Sequence, residues 1–469
     1  MRDTHGSTSA NLCNTFGPFR RAALIESGFH SELESKKTSS DYDPHEHRNA
    51  SHPTTNAETL IHMLKCSLGT GIFAMPQAFK AAGLVNGFIF TILISVLCTY
   101  GIHIMVQAQY VLCKKLRVPL LTYPESMKAA LLTGPKAFHK YANFLSYVVN
   151  VFLIFYQLGF CCVYIIFVAV NVKELVDEYL SKPMALELYT TTLLPFFTLI
   201  LLVPNLKWLA PFSLISNLLT FGSLGIIFYY LLSDLPSIED RNLVGTLYNF
   251  PLFFGTVWFS FKTVGVVIAL ENNMKTPKSF GGCFGVFNIA VFLIVLLYVA
   301  IGFFGYWRYG EETRSSITLN LGNKDLLAKL VQALNSIAIF ISYGLQGFVP
   351  VDIIWNTYLL KRLSNVKHPW MYEYILRIML VIVTVLVAVF IPLLELFISF
   401  FGSFCLSALG IVFPAIMDIC IKWPNELGFQ NWILIKDIFL IGFGMLGLMS
   451  GSYSALAEII RKLSIGDYS

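Results

Sequence analysis

The sequence predicts an all-α integral membrane protein of about eleven transmembrane helices, and three observations carry that reading. The 469-residue chain is 56% hydrophobic and only 13% charged. Apolar runs long enough to cross a bilayer, about 20 residues at 1.5 Å each, recur almost end to end. The short alternating segments of a transmembrane β-barrel do not appear. A formal net charge of +5 is too small to mark a nucleic-acid surface. No nucleophile–base or metal constellation stands out, so neither an enzyme, nor a metal site, nor a cofactor is expected. The cysteines lie mostly in apolar runs (Cys98, Cys161, Cys162, Cys405) without CxxC spacing and read as small buried hydrophobes.

Taken in order, residues 1–57 are polar, rich in Ser, Thr, His, Asn and acids, and read as a disordered tail. Its His45, His47 and His52 have no supporting cysteine or acid geometry, so a solvated tail is expected there rather than a metal site. The tail lacks a cleavable signal pattern, and the first span is expected to direct insertion itself. A membrane domain follows over 58–460, with spans near 60–83, 87–110, 141–171, 187–204, 211–232, 249–271, 284–306, 327–354, 372–391, 396–419 and 432–457. A short tail, 461–469, closes the chain.

Lysine and arginine concentrate in alternate loops. Lys114, Lys115, Arg117, Lys128, Lys136 and Lys140 lie in 111–140, and Lys207, Lys275, Lys278, Lys361, Arg362, Lys367 and Lys422 fall on the same side. The positive-inside rule then places the N-terminus in the cytoplasm and the C-terminal tail outside or in a lumen. The sequon Asn49-Ala50-Ser51 falls in the cytoplasmic tail and is expected to stay unmodified. No loop on the outer side offers a cysteine pair, so no structural disulfide is expected.

Two spans are irregular at their centres. The first reads LIHMLKCSLGTGIFAMPQAFKAAGL over 60–84, with Gly69-Thr70-Gly71 in its middle and Pro76 a turn later. Glycine is a poor helix former and proline removes a donor, so a break near the bilayer midplane is expected. Unwound backbone at that depth must be buried in protein or line a cavity. Its free N–H groups and positive helix end suit a carboxylate or another small anion. Close helix packing through small residues is the competing reading. The sixth span, 249–272, carries Lys262 at its centre and Gly265 after it. Eleven helices divide as five, five and one, which permits an inverted repeat with spans one and six as its broken members.

Ionisable groups inside spans are costly and usually face a cavity or a partner. His62 lies on one face of the first span with Lys65 and Cys66, and imidazole is the side chain that titrates near neutrality. A neutral histidine bonded to a neighbouring helix is the alternative. Lys65 is near enough to the end to snorkel. Lys262 must pair, lose its proton or meet a bound anion. Glu271, Asp352, Glu395 and Asp418 lie near span ends, where solvation accounts for them. Ser342, Tyr343 and Gln346, with Tyr156, Gln157 and Gly159, could line a central cavity or bond between helices.

With these residues in view, the sequence resembles the proton-assisted amino acid transporters, a branch of the amino acid/auxin permeases. The resemblance rests on TLIHMLKCSLGTGIFAMP (59–76), TYPESMKAALLTGP (122–135), YQLGFCCVYIIFVAVNVKEL (156–175) and PNLKWLAPFSLISN (204–217). GVVIALENNMKTP (265–277), ISYGLQGFVPVDIIW (341–355) and ELFISFFGSFCLSALGIVFPAI (395–416) complete it. It implies the leucine-transporter-like five-plus-five inverted repeat plus one helix. It also implies movement of small amino acids, with protons, across a plasma or lysosomal membrane, and His62 at a proton-linked position. Two departures stand out. Cys66-Ser67 replaces an expected Gly-Asn before the Gly-x-Gly, and Phe261-Lys262-Thr263 stands where an acid is usual. The site expected from residues and resemblance together is backbone at Ser67, Leu68, Gly69, Thr70 and Gly71 for the carboxylate. Phe259, Ser260, Phe261 and Lys262 form its opposing wall, with Tyr343 nearby and His62 for proton coupling. A transporter-like amino acid sensor is the alternative function.

Overall fold

The computed structural model describes residues 42–48, 53–203, 206–233, 235–282, 284–321, 325–363 and 368–465. The chain enters the bundle through α1 (Asn56–Ser67), which a capping box starts. Thr55 Oγ1 accepts from the Glu58 N–H at 3.3 Å while the Glu58 carboxylate accepts from the Thr55 N–H at 2.8 Å. After two residues the span resumes as α2 (Thr70–Ala82) and turns at Gly83, whose φ of 84° favours glycine, into α3 (Leu84–Leu116). A short helix, α4 (Tyr123–Thr133), lies against the long α5 (Ala142–Asp177), and Tyr123 donates to the Leu409 carbonyl at 2.6 Å. The loop expected over 111–140 therefore holds a packed helix.

The fourth span is split into α6 (Leu186–Thr192) and α7 (Leu194–Leu201), with Pro195 at the restart, and α8 (Leu206–Leu232) is the fifth. Then come α9 (Phe250–Ser260), α10 (Val267–Asn272), α11 (Val286–Tyr309), α12 (Leu326–Leu359), α13 (Pro369–Phe390), α14 (Leu394–Lys422) and α15 (Trp432–Ile465). Eight helices of the described residues are each long and apolar enough to cross a bilayer. The first, fourth and sixth spans are each built from two shorter pieces.

Glycine lets the helices around the centre touch backbone to backbone. A methyl group on Gly402 would strike the Gly255 carbonyl, and one on Gly101 would strike the Gly410 carbonyl, so α14 is pressed against both α9 and α3. Along that contact α14 widens into π-helical turns at Gly402–Leu406 and Ala408–Val412, irregularities that recur beside functional sites.

The tail departs from its expected disorder in part. Residues 42–48 form a turn held against the bundle, described below, and the first helix starts at Asn56. The other residues of 1–57, including His52 and the sequon, lie outside the described residues, except for 53–57. His45 stacks on Tyr110 and His47 on Tyr42.

Candidate functional site

Both central breaks form, and each begins where the sequence weakens the helix. α1 ends at Ser67, Leu68 turns extended (φ −73°, ψ 105°), and Gly69 is extended before α2 restarts at Thr70. No side chain caps α2. Ile72 N–H donates to the Gly69 carbonyl at 3.3 Å, and the N–H groups before it stand at the positive end of a thirteen-residue helix. Pro76 lies inside α2 without ending it. In the sixth span α9 ends at Ser260, and Phe261 leaves the helix at ψ 50°. A single 3₁₀ turn over Lys262–Gly265 follows, and α10 begins at Val267.

Two contacts hold the breaks face to face. The Tyr298 hydroxyl, buried on α11, lies 2.8 Å from the Ser67 carbonyl oxygen and 2.7 Å from that of Ser260. Its single proton is shared between two carbonyls that unwinding removed from the helical ladder. Gly71 faces Ser260 so closely that an added methyl group would lie 2.7 Å from the Ser260 Cα.

Lys262 lies in front of the first break. Its Nζ donates to the Tyr164 hydroxyl at 3.0 Å and lies 5.6 Å and 5.9 Å from the ring centroids of Tyr164 and Phe160. The ammonium stands over Gly69, leaving no room for a methyl group there. Among the described residues no carboxylate pairs with it. The Tyr156 hydroxyl donates to the Lys262 carbonyl at 3.2 Å, and Phe160 stacks on Phe259 at 4.3 Å. Tyr156, Phe160 and Tyr164 thus form one stripe of α5, spaced by four, that walls the site.

An ammonium beside a helix N-terminus puts two positive potentials in one place, which an anion between them relieves. Nearby, Thr70 Oγ1 on α2 and Gln157 Oε1 on α5 are buried without a hydrogen-bond partner among the described residues. Buried polar atoms of this kind are what a bound polar molecule satisfies. A separate cavity of about 440 Å³ lies at the far end of α2, lined by Gln77, Tyr248, Asn249, Glu395, Glu458 and Arg461 among others.

The remaining expected residues divide. Ser67 offers its carbonyl, because its hydroxyl donates back to Met63 at 3.0 Å. Leu68, Phe259, Ser260 and Phe261 are buried at the breaks. Tyr343 is not brought there. Its hydroxyl meets Thr384 at 3.2 Å and its ring meets Phe197 at 4.6 Å, which turns it toward α13 and α7. Ser342 bonds back to Ala338, and Gly159 is a packing position against Phe401. His62 is exposed on α1, to one side of the buried Thr59, Met63 and Ser67 stripe, about 9 Å of helix before Leu68. Three of the four acids at span ends are paired rather than merely solvated, while Asp352 is exposed as expected and accepts from the Asn356 amide at 2.6 Å. Glu271 meets Arg48, Asp418 meets Lys422 and Lys436, and Glu395 meets Lys462. Tyr298 carries no sequence signal, being one tyrosine in a continuous apolar run.

A helical membrane bundle whose first and sixth spans are broken and fastened face to face is a transporter of the broken-helix class rather than an enzyme. Residues 52–457 match the family described as transmembrane amino acid transporter protein, and the chain belongs to that family. It is 38% identical over 434 residues to the "Proton-coupled amino acid transporter-like protein pathetic" of Drosophila melanogaster, covering 92% of this chain and 91% of that one. It is 26% identical to the "Probable amino acid transporter skat-1" of Caenorhabditis elegans, over 88% and 92% of the two chains. The fold is shared with a Na+-coupled sialic acid symporter in a substrate-bound outward-open state (TM-score 0.51, 14% identity, 94% and 95% coverage). It is shared equally with inward-facing Mhp1 (TM-score 0.54, 13% identity, 89% and 92% coverage). These two likenesses define a leucine-transporter-like architecture and nothing about substrate.

Proposed function

We propose that this protein is a secondary active transporter of small neutral amino acids or related small carboxylates, coupled to protons and working by alternating access. The observation that carries the reading is the pair of breaks joined through Tyr298, with uncapped N–H groups of α2 on one side and Lys262 on the other. The substrate carboxylate binds the backbone from Ser67 to Gly71, and Phe259 to Lys262 form the facing wall. When substrate arrives, its carboxylate takes the place between Lys262 and the α2 N-terminus, and the ammonium moves off Gly69. His62 is the proton-responsive group, acting from the half of the first span that precedes the break. The chain sits in a plasma or lysosomal/endosomal membrane with its N-terminus cytoplasmic, consistent with its lysine and arginine distribution.

Purified protein in proteoliposomes, given a panel of radiolabelled small amino acids and carboxylates at two external pH values, tests this. Saturable uptake that rises with an inward proton gradient is the expected result. Binding without net flux would replace transport with sensing, the other function this architecture serves in the present reading.

A further inference from the structure

At the end of the bundle where the chain enters, residues 42–48 sit on a built surface. The segment reads YDPHEHR and folds on itself, with the Asp43 carboxylate accepting the His45 N–H at 3.0 Å and the Asp43 carbonyl accepting the Glu46 N–H at 3.1 Å. Arg48 is half-buried against the end of α10, donating to the Glu271 carbonyl at 2.9 Å and to the Glu271 carboxylate at 3.0 Å. The His45 ring stacks on Tyr110 of α3 at 4.7 Å, and Asp43 pairs with Lys278 at 3.2 Å. That hydrogen bond and charge hold Lys278 above its ordinary value, so the lysine keeps its charge through the physiological range. A remaining groove of about 280 Å³ runs beside His45 between α3 and the α10–α11 connection.

The contacts continue into the first span. Thr54 exchanges backbone hydrogen bonds with Asn273 and Lys275, both at 2.8 Å, and the Asn56 side chain accepts from Thr276 and Ser279 at 2.9 Å each. α1 and α10, the half-helices on this side of the two breaks, pack together beneath these bonds. The segment 42–48 lies before the family-matched region, which begins at residue 52.

We propose that Tyr110, Glu271 and Lys278 form a peptide-binding site for the chain's own segment Tyr42–Arg48, whose occupancy holds α1 against α10 and keeps the breaks closed to this side. The site selects a guanidinium seated on a buried carboxylate, an imidazole on a tyrosine ring and a carboxylate on a lysine. The proposal rests on the transporter reading for its consequence, and its test needs no substrate. In membrane vesicles open to reagent on this side, Cys66, half-buried and two residues before Leu68 at the first break, is alkylated with a maleimide and followed by mass spectrometry.

Arg48→Ala and Glu271→Gln are expected to raise the Cys66 rate about tenfold, within the range of ordinary coupling between sites. The charge reversal Arg48→Glu with Glu271→Arg is expected to bring it back toward the starting value. A synthetic peptide of residues 42–48, added to Arg48→Ala, is expected to slow it again. Because Arg48 lies outside the helical core, Arg48→Ala tests the contact without unfolding the bundle. Unchanged alkylation in both single variants, or no recovery in the reversal, overturns the proposal. Faster alkylation in variants of a protein that moves no substrate would sustain the peptide site and sink the transport reading instead.

Discussion

The ammonium of Lys262 occupies the space directly over Gly69, so the sixth span places a positive charge at the opening of the first. The two glycines of the break then differ in kind. At Gly69 a methyl group meets the far end of a flexible side chain, whereas at Gly71 it meets the Ser260 backbone at 2.7 Å. Gly69→Ala is therefore expected to displace Lys262 and weaken carboxylate affinity, with Lys262→Met adding little further loss in the double variant because the displaced ammonium no longer meets the carboxylate. Gly71→Ala is expected to force the breaks apart at roughly 1–3 kcal/mol of strain, and Lys262→Met is expected to add its own loss on top. Binding isotherms for the four variants measure the contrast. Equal behaviour of the two glycines would show that Lys262 does not govern the opening.

Lys262 itself has a hydroxyl and two aromatic rings for company and no carboxylate among the described residues. Lys262→Met keeps most of its volume and removes the charge that meets the substrate carboxylate. Apparent affinity is expected to fall about tenfold, the loss of one charge-assisted hydrogen bond. Lys262→Glu puts a protonatable acid in the same place, and uptake is expected to become more steeply dependent on external pH. Uptake assays across a pH series decide both. Unaltered affinity and pH dependence in the two variants would make Lys262 a bystander.

Tyr298 touches both breaks through one hydroxyl, with carbonyl oxygens at 2.8 Å and 2.7 Å. Tyr298→Phe keeps the ring against Phe261 and removes only the oxygen. Leaving two buried carbonyls less satisfied destabilises this arrangement by about 1–3 kcal/mol. The expected result is weaker binding and a lower thermal midpoint in detergent, while a variant with unchanged affinity would restrict Tyr298 to packing.

Most of the fold was legible because a membrane imposes a simple code. Runs of apolar residues must be helices, and they located all eleven spans, although α3, α5, α12 and α15 run five to eight residues past the ends expected at 110, 171, 354 and 457. Both breaks were legible for the same reason, since Gly69, Gly71 and Lys262 are hard to accommodate in a regular lipid-facing helix. What the sequence could not carry was rotation. Tyr343 and Tyr298 both look like a lone tyrosine in an apolar run. Only the packing of α12 and α11 turns the first toward Thr384 and the second toward the breaks. Tyr156, Phe160 and Tyr164 left a usable trace in their spacing by four. The docked turn at 42–48 was hidden by composition. A polar segment reads as solvated unless its partners, here Glu271, Tyr110 and Lys278, are known in space.

Outside the site, Arg377 on α13 is almost fully buried and closes the end of α7. It donates to the Leu201 and Val203 carbonyls at 2.8 Å and 3.2 Å and to Glu373 at 2.7 Å. A cation at a helix C-terminus is favourable both for the carbonyls and for the dipole. Arg377→Met is expected to lower stability by on the order of 3 kcal/mol, since several acceptors lose a charged donor. Thermal unfolding of the purified variant in detergent checks this, and a midpoint within a degree of the parent would refute it.

His62 gives the last expectation its sharpness, because it stands apart from the breaks. It is exposed on α1, and no hydrogen bond ties it to another helix among the described residues. Glu58 lies four residues before it and Lys65 three after, so both share its side of the helix. Imidazole is the side chain whose charge a physiological proton gradient can change. If its protonation state sets how α1 moves, His62→Ala should abolish the pH stimulation of uptake and leave substrate affinity nearly unchanged, since no part of His62 reaches the Gly69–Lys262 opening. His62→Lys, which keeps a positive charge at every working pH, should fix uptake at its acid-side level. Uptake measured from pH 5 to pH 8 for the parent and both variants separates the cases. A parent-like pH profile in His62→Ala would remove this residue from coupling and move the proton elsewhere in the bundle.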